Sequence, residues 1–341
     1  PFIRKAAGFG VVSTKHDNER YEHKYEYCDL LITGSGPSGL ASAYAAAKNG
    51  ARVILAEDKS RFGGSLLTSE VSIGNQNGKD WADKIIGELK EMPNVTIKNR
   101  AQVFGYYDHN MLVMSERLGD HLPKSKKYTP KQRLWYIRAK EVIISTGSIE
   151  RPIVFGNNDT PGVVLASAAK EYLKVYGVLV GKKPLIFTNN DSAYETAIEF
   201  KKNNINPIIL DTRKNPDSEI ISQAKNMGIE IKFSYVVVAA KGYKKVNSAE
   251  IASISEDKKD LGKIENIACD CICVSGFWTP TIHLASQSGN KTKFNEEIDA
   301  FVPGKSKQNE TTVGSANGIF SLEKTLTTAF EKGHELSKKI T

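Results

Sequence analysis

The segment CDLLITGSGPSG at residues 28–39 joins an apolar run to a turn with the glycine spacing G-x-G-x-x-G. Residues 37–49 are rich in alanine, which predicts a helix, and residues 52–56 form a second apolar run. A strand, a tight turn, a helix and a strand within about thirty residues have the spacing of a right-handed β-α-β unit. We therefore predict a nucleotide-binding β-α-β unit over residues 30–58.

Each glycine of this turn has a different predicted task. Gly34 allows the tight turn out of the strand, Gly36 lets the backbone approach a pyrophosphate, and Gly39 lets the helix pack close to the sheet. The helix begins at Pro37 and Ser38, and its N-terminus offers free N–H groups and a partial positive charge to phosphates. The turn predicts a bound dinucleotide, and the alternative is an empty structural turn.

Residues beyond the second strand extend the predicted site. Glu57 lies about twenty residues after the motif, where a carboxylate accepts hydrogen bonds from ribose hydroxyls and disfavours the 2′-phosphate of NADP. In the following loop, Gly64 permits close backbone approach to a ligand and Ser65 can donate to a phosphate. These features do not separate NAD from FAD, because both cofactors contain the ADP half that the turn binds.

A second nucleotide-fold pattern begins near residue 183, with a strand at 184–188, a helix at 192–203 and a strand at 206–211. Its turn, FTNNDS at residues 187–192, contains no glycine, and the Asp191 carboxylate would repel a pyrophosphate. We predict a domain that keeps the architecture without a working dinucleotide site.

The two patterns predict an α/β protein with two Rossmann-like nucleotide-binding domains, the second inserted into the first. This arrangement is the glutathione-reductase-like FAD/NAD(P)-binding fold. The predicted divisions are an N-terminal arm at residues 1–27, a dinucleotide-binding domain at 28–150 plus 277–341, and an inserted domain with a degenerate nucleotide site at 151–276. A chain of 341 residues also favours two domains over one.

Shorter elements are predicted from apolar periodicity. Strands near 95–99, 101–107 and 111–117 suggest an antiparallel meander, and residues 135–139 and 141–145 read as two strands. The second of these leads into Thr146 and Gly147, which are predicted to lie at the site. A last helix is predicted at 317–339, after Gly314.

The segment around Gly314 bears on the choice of cofactor. In two-domain flavoproteins a Gly-Asp pair is common here, and its aspartate binds the ribityl chain of FAD. Ser315 stands at the aspartate position, which favours NAD over FAD.

Composition and charge exclude several classes of function. The net charge of +8 comes from lysines scattered along the chain, so no nucleic-acid surface is predicted. No apolar run approaches the length needed to cross a bilayer, so no membrane contact is predicted. The low cysteine count favours the cytoplasm. Four cysteines do not make a disulfide framework in a chain of this length. Cys269, Cys271 and Cys273 alternate along a predicted strand, so we expect them on one face as small buried side chains. No residue is assigned as catalytic or as a metal ligand.

The sequence resembles the α subunits of heterotetrameric sarcosine oxidases along nearly its whole length. The most specific matching stretches are FGYYD at 104–108 and TNNDSAY at 188–194. Other matching stretches are FIRKAAG at 2–8, RYEH at 20–23, GSGPSGL at 34–40, FGGSL at 62–66, Thr146-Gly147 with ERP at 150–152, ND and PG at 158–162, and VSG at 274–276.

This resemblance implies oxidative demethylation of sarcosine to glycine with tetrahydrofolate and O2, giving H2O2. It implies FAD in a β subunit, FMN at the α/β interface and NAD in the first site of the α subunit. FMN and FAD are therefore expected in a complete complex with β, γ and δ subunits, and not in this chain alone. By the same resemblance, NAD would be lined by Ser38, Glu57, Asp58, Lys59, Ser65, Val103, Ala316 and Leu322.

The resemblance also leaves alternatives. The family's α subunit carries a ferredoxin-like domain and a folate-binding domain that these residues do not contain, so we do not expect the chain alone to oxidise sarcosine. Related α-type subunits serve opine oxidases, hydrogen cyanide synthase and amino-acid dehydrogenases. A stand-alone FAD-dependent oxidoreductase and a non-catalytic scaffold with a vestigial nucleotide site are the other two hypotheses.

Overall fold

The computed structural model describes residues 2–8, 10–122 and 129–340 of the chain. Its helices are α1 (Phe2–Ala6), α2 (Pro37–Lys48), α3 (Gly78–Glu91), α4 (Ala166–Tyr176), α5 (Ser192–Lys202), α6 (Glu219–Asn226), α7 (His283–Gln287) and α8 (Leu322–Ile340). Two short 3-10 helices occupy Gly64–Leu67 and Gly314–Asn317.

The strands alternate with these helices along the chain. They are β1 (Tyr21–Thr33), β2 (Val53–Ala56), β3 (Ser72–Ile73), β4 (Gln76–Asn77), β5 (Val95–Lys98), β6 (Ala101–Tyr107), β7 (Met111–Arg117), β8 (Gln132–Ile144), β9 (Ser148–Glu150), β10 (Val163–Leu165), β11 (Pro184–Thr188), β12 (Ile208–Asp211), β13 (Glu230–Phe233), β14 (Tyr235–Lys241), β15 (Ser248–Ser253), β16 (Glu265–Ala268), β17 (Cys271–Ser275), β18 (Trp278–Pro280), β19 (Lys293–Asn295), β20 (Ala300–Val302) and β21 (Glu310–Thr312).

The larger sheet carries the predicted nucleotide site. Its order is β5-β2-β1-β8-β7-β6, and β21 also pairs with β8. Strands β5, β2, β1, β8 and β21 are parallel, whereas β8, β7 and β6 are antiparallel. The predicted meander is therefore wrong for residues 95–99, because β5 pairs in parallel with β2 at the sheet edge. Only the antiparallel hairpin of β6 and β7 agrees with it.

Strands β1 and β8 are longer than predicted. The predicted arm at residues 1–27 is wrong from Tyr21 onward, because residues 21–28 pair in parallel register with residues 132–139 of β8. The Tyr25 and Tyr136 rings stack with centroids 5.1 Å apart, and Glu22 forms an ion pair of 3.0 Å with Arg133. Such cross-strand pairs stabilise a sheet beyond the apolar core. The two strands predicted at 135–139 and 141–145 are one continuous strand, β8, because it pairs with β1 on both sides of residue 140.

The smaller sheet has the order β10-β17-β11-β12-β13 and all its pairs are parallel. Strands β14, β15 and β16 form a separate antiparallel sheet. The chain leaves the larger sheet through β9 and returns through β18, and these two strands pair antiparallel. The prediction of an α/β fold with one parallel unit inserted into another is confirmed. We keep residues 151–276 as the proposed limits of the inserted domain.

All four cysteines are free and buried. Cys271 and Cys273 pack in one apolar cluster, but Cys269 packs in a second cluster together with Ile272 and Val274. The expectation that all three point to one face is wrong for Cys269, because it precedes β17 and does not follow its alternation. The described residues contain no group of His, Cys, Asp and Glu that could hold a metal ion. Among the described helices, none combines the length and the apolar character needed to cross a membrane.

Candidate dinucleotide site

The three glycines of the first turn have three different surroundings. Gly34 has φ +103°, and a Cβ added there would lie 2.4 Å from the Ser145 carbonyl oxygen. A Cβ at Gly39 would lie 1.9 Å from the Gly34 carbonyl oxygen. Gly36 differs, because no protein atom lies within 4 Å of a Cβ built on it. Gly34 and Gly39 are required by the fold, and Gly36 faces open space that a ligand can use.

Helix α2 starts directly at this open space. Gly36 is its N-cap residue, and no side chain caps the helix. The uncapped N–H groups of the first turn are therefore available to an anion. Pro37 at the first helical position donates no hydrogen bond, which costs nothing there.

The loop after β2 packs against the turn from the other side. A Cβ at Gly64 would lie 2.8 Å from the Gly36 Cα, and Gly64 has φ +55°. The Gly63 N–H donates to the Ser35 carbonyl over 3.0 Å. Ser65 is exposed beside this contact, on the first turn of the 3-10 helix. The structure therefore brings Gly64 next to Gly36, with Ser65 following it in the chain, and their contact with a ligand stays a prediction.

Glu57 supports the turn itself. Its Oε2 accepts from the Ser35 N–H at 2.9 Å and from the Ser35 Oγ at 2.5 Å, and its Oε1 accepts from the Lys59 N–H at 2.9 Å. Burial raises the pKa of this carboxyl, and the adjacent Asp58 raises it further. A carboxylate oxygen has two acceptor sites, so Oε1 keeps one for a ribose hydroxyl.

The residues after Glu57 are held by contacts from distant segments. The Asp58 carbonyl accepts from the Arg117 guanidinium at 2.7 Å, while the Asp58 side chain is exposed. The Lys59 ammonium donates to the Glu171 carboxylate of α4. Val103 lies in β6, which the Ala101 N–H ties to the Glu57 carbonyl over 2.8 Å. Asp58 and Lys59 thus follow the carboxyl end of β2, and β6, which contains Val103, begins beside that end.

Two segments from later in the chain approach the turn. Gly314 has φ +66°, and a Cβ on it would lie 2.6 Å from the buried Ser38 Oγ. Gly147 has φ +76°, and the nearest atom to a Cβ on it is the Ser315 Oγ at 3.9 Å. The Thr146 Oγ1 donates to the Thr281 carbonyl at 2.8 Å.

The structure places the last helix later than predicted. Residues 314–317 form a 3-10 turn that contains the fully buried Ala316, and α8 begins only at Leu322. Gly318 causes this break, because its φ of +76° ends the turn in left-handed backbone. The side chain of Leu322 packs against the apolar core beside α2. The start of α8 lies near Gly314, because the Thr325 Cγ2 is 3.4 Å from a Cβ built on that glycine.

Protein groups fill the corresponding turn of the smaller sheet. The Asn190 Nδ2 donates to the Ser275 carbonyl and to the Ser275 Oγ, each at 3.1 Å. The Asn190 Oδ1 accepts from the Ser192 N–H at 3.0 Å and from the Ser192 Oγ at 2.6 Å. Asp191 forms an ion pair of 2.7 Å with Arg213, which also binds the buried Asp211. Asp191 precedes α5 as Gly36 precedes α2, so a carboxylate side chain paired with Arg213 stands here at the position that Gly36 leaves without a side chain.

Comparison with known proteins identifies the family. The model of the pyridine nucleotide-disulphide oxidoreductase family matches residues 28–302. The chain belongs to this family. It therefore belongs to a family of oxidoreductases, and its fold is that of the FAD/NAD(P)-binding flavoproteins.

The resemblance to sarcosine oxidase α subunits is confirmed. Sarcosine oxidase subunit alpha of Rhizobium meliloti (strain 1021) is 38% identical over 93% of this chain, which covers 31% of that protein. Sarcosine oxidase subunit alpha of Corynebacterium sp. (strain P-1) is 34% identical over 96% of this chain, which covers 34% of that protein. The chain thus spans about a third of the length of these relatives.

A solved structure supports the fold. The thioredoxin reductase of T. acidophilum superposes with a TM-score of 0.69 at 17% identity, covering 92% of this chain and 98% of that one.

The sequence analysis missed three residues that support the site through their contacts, namely Ser35, Arg117 and Glu171. Ser35 could have been found from its place inside the glycine motif. Arg117 and Glu171 carry no local signal.

Proposed function

We propose that this chain is the NAD-binding portion of an α-type subunit in a sarcosine-oxidase-type complex. The observation that carries the proposal is the contrast between the two turns. The turn at Gly36 leaves open space above uncapped helix N–H groups, and the turn at Asn190 is filled by side-chain hydrogen bonds. An enzyme that passes electrons from NAD(P)H to FAD needs two working nucleotide sites. One open site fits a chain that binds a dinucleotide without this transfer.

The C-terminal segment supports NAD over FAD. Ser315 stands where flavoproteins of this fold commonly have the aspartate that binds the ribityl chain. Its Oγ lies 3.9 Å from a Cβ built on Gly147, so it faces the gap between these two segments. A serine hydroxyl offers no negative charge to the ribityl chain.

The redox chemistry then belongs to partner subunits. The proposed complex demethylates sarcosine oxidatively to glycine with tetrahydrofolate and O2, and its FAD and FMN are held outside or at the edge of this chain. The sequence has no C-x-x-C pair, and all four cysteines are buried as free thiols, so this chain offers no dithiol for electron transfer. The proposed partners are β, γ and δ subunits, and the proposed location is the cytoplasm.

Mass spectrometry of the natively purified chain tests this function. We expect NAD in a stoichiometric amount, a colourless protein, and stabilisation of about 2.7 kcal/mol when NAD is added at about 100 times its dissociation constant. A yellow protein that releases FAD would support the stand-alone flavoenzyme. A chain that releases no nucleotide and gains no thermal stability with NAD or FAD would support the scaffold.

Because the Glu57 carboxyl is proposed to bind a ribose hydroxyl, its protonation should make NAD affinity depend on pH. The raised pKa of this carboxyl follows from its burial and from Asp58. NAD favours the ionised carboxylate, so its affinity should fall by up to about tenfold per pH unit below that pKa. The native state holds this proton more tightly than the unfolded state, so the contribution of Glu57 to the free energy of unfolding decreases as pH rises through the same range.

Calorimetric titration with NAD from about pH 8 down to about pH 4, below the ordinary pKa of a glutamate, checks this dependence. The variant Glu57→Gln should bind more weakly and show a flat profile over this range. The variant Asp58→Asn is the control, and it should keep the dependence with its midpoint moved to lower pH. Parallel profiles for the wild-type chain and Glu57→Gln would show that another group is responsible.

A further inference from the structure

One side chain of the inserted domain reaches the residues that surround Glu57. Glu171 lies on α4, and its two carboxylate oxygens accept from the Lys59 Nζ at 2.8 and 3.0 Å. The Glu171 side chain is 34% exposed and that of Lys59 is 54% exposed, so water screens the pair only in part. Lys59 therefore links the inserted domain to the segment that follows β2.

The backbone of Lys59 continues this link to the glycine turn. The Lys59 N–H donates to the Glu57 Oε1, and the Glu57 Oε2 accepts both donors of Ser35. The Lys59 carbonyl accepts from the Arg100 N–H at 3.0 Å. A continuous series of contacts thus runs from Glu171 through Lys59 and Glu57 to the turn beside Gly36.

The charges near Lys59 explain what Glu171 does there. The carboxylates of Glu171, Asp58 and Glu57 all attract the Lys59 ammonium, and each raises its pKa. Without Glu171, the flexible ammonium can turn to Glu57 and take the acceptor site on Oε1 that a ribose hydroxyl needs. Glu171 holds the ammonium away from that site.

We propose that Glu171 is a positioning residue of the dinucleotide site, because its ion pair with Lys59 keeps the Glu57 carboxylate available to the ribose. This inference rests on the proposed function and deepens it. A domain whose own turn is filled by Asn190 would thereby contribute to dinucleotide binding in the other domain. The class of ligand is a dinucleotide with free ribose hydroxyls at its adenosine end.

A separate contact joins the two domains and makes the inference testable. Glu70, beyond the 3-10 helix at Gly64–Leu67, forms ion pairs with Lys174 of α4 and Lys202 of α5. A cleft of about 410 Å³ lies at the contact of Glu70 with Lys174, and Arg61 also lines it. Since Glu70 does not depend on Glu171, a substitution at Glu171 leaves this second contact between the domains in place.

The test is a double-mutant cycle read by calorimetric titration with NAD. We expect Glu171→Gln to weaken NAD binding by about threefold to tenfold, or about 0.7 to 1.4 kcal/mol. The same substitution should have no effect in a Lys59→Met background, because the ammonium is then absent. Glu171→Asp should restore part of the affinity. Glu256→Gln is the matched control, because its carboxylate pairs with the exposed Lys214 at 2.9 Å in the same domain.

The outcomes separate this inference from the proposed function. A wild-type chain that binds NAD with the affinity of Glu171→Gln would overturn the positioning role and leave the proposed function intact. Equal losses for Glu171→Gln with and without Lys59 would also overturn it, because the effect would not pass through Lys59. A wild-type chain that does not bind NAD would overturn both.

Discussion

The variant Gly36→Val is expected to fold like the wild-type chain and to lose at least about a hundredfold in NAD affinity, or about 2.7 kcal/mol. Gly36 has φ −68° and ψ −174°, which any residue adopts. Apart from its neighbours in the chain, no protein atom lies within 4 Å of a Cβ built there, so the first carbon of the valine side chain meets open space. Its methyl groups would instead fill the space above the N-terminus of α2 that a pyrophosphate needs.

Titration with NAD and circular dichroism measure the two halves of this prediction. Gly87→Val is the matched control, because Gly87 lies on the exposed face of α3 and a Cβ there also meets no atom within 4 Å. The control should keep both its fold and its NAD affinity. If Gly36→Val bound NAD as tightly as the control, the dinucleotide would have to lie elsewhere.

Much of this site could be predicted because its information is local. Gly34, Gly36 and Gly39 lie within six residues, and a strand and a helix directly flank them. The helices predicted at 37–49 and 192–203 correspond to Pro37–Lys48 and Ser192–Lys202. Spacing along the chain is enough to predict features of this kind.

The contacts that complete the site could not be predicted in the same way. Ser35 binds a carboxylate 22 residues away, and Lys59 binds one 112 residues away in another domain. Such partners are set by how β2 and α4 are placed in three dimensions, and no periodicity of the sequence encodes that placement. The polar half of β1 was missed for a related reason. Its tyrosines and charges are stabilised by β8, and not by an apolar core that would leave a pattern.

The largest effect on stability is expected at Gly39. A Cβ on this residue would lie 1.9 Å from the Gly34 carbonyl oxygen and 2.8 Å from the Ser145 Oγ. These two atoms are hydrogen-bonded to each other, since the Ser145 Oγ donates to the Gly34 carbonyl at 2.9 Å. Neither can move alone, because Gly34 also donates its N–H to the Ala56 carbonyl of β2 at 2.8 Å. The methyl group must therefore push α2 away from the sheet.

We expect Gly39→Ala to lower the free energy of unfolding by about 3 kcal/mol, the upper end for overpacking a close contact. The urea midpoint of the chain measures this loss. Gly87→Ala is the control, because Gly87 is an exposed residue within α3, away from its ends. This substitution should raise the midpoint, since alanine favours a helix by about 1 kcal/mol over glycine. A midpoint for Gly39→Ala equal to that of the wild type would mean that α2 does not approach the turn this closely.

The two variants separate what the fold requires from what the ligand requires. Gly36 and Gly39 belong to the same motif, yet a side chain meets open space at the first and backbone at the second. Loss of binding without loss of stability at Gly36, and loss of stability at Gly39, would assign the first glycine to the dinucleotide and the second to the helix. If both variants only unfolded the chain, the motif would be explained by packing alone and the scaffold hypothesis would gain support.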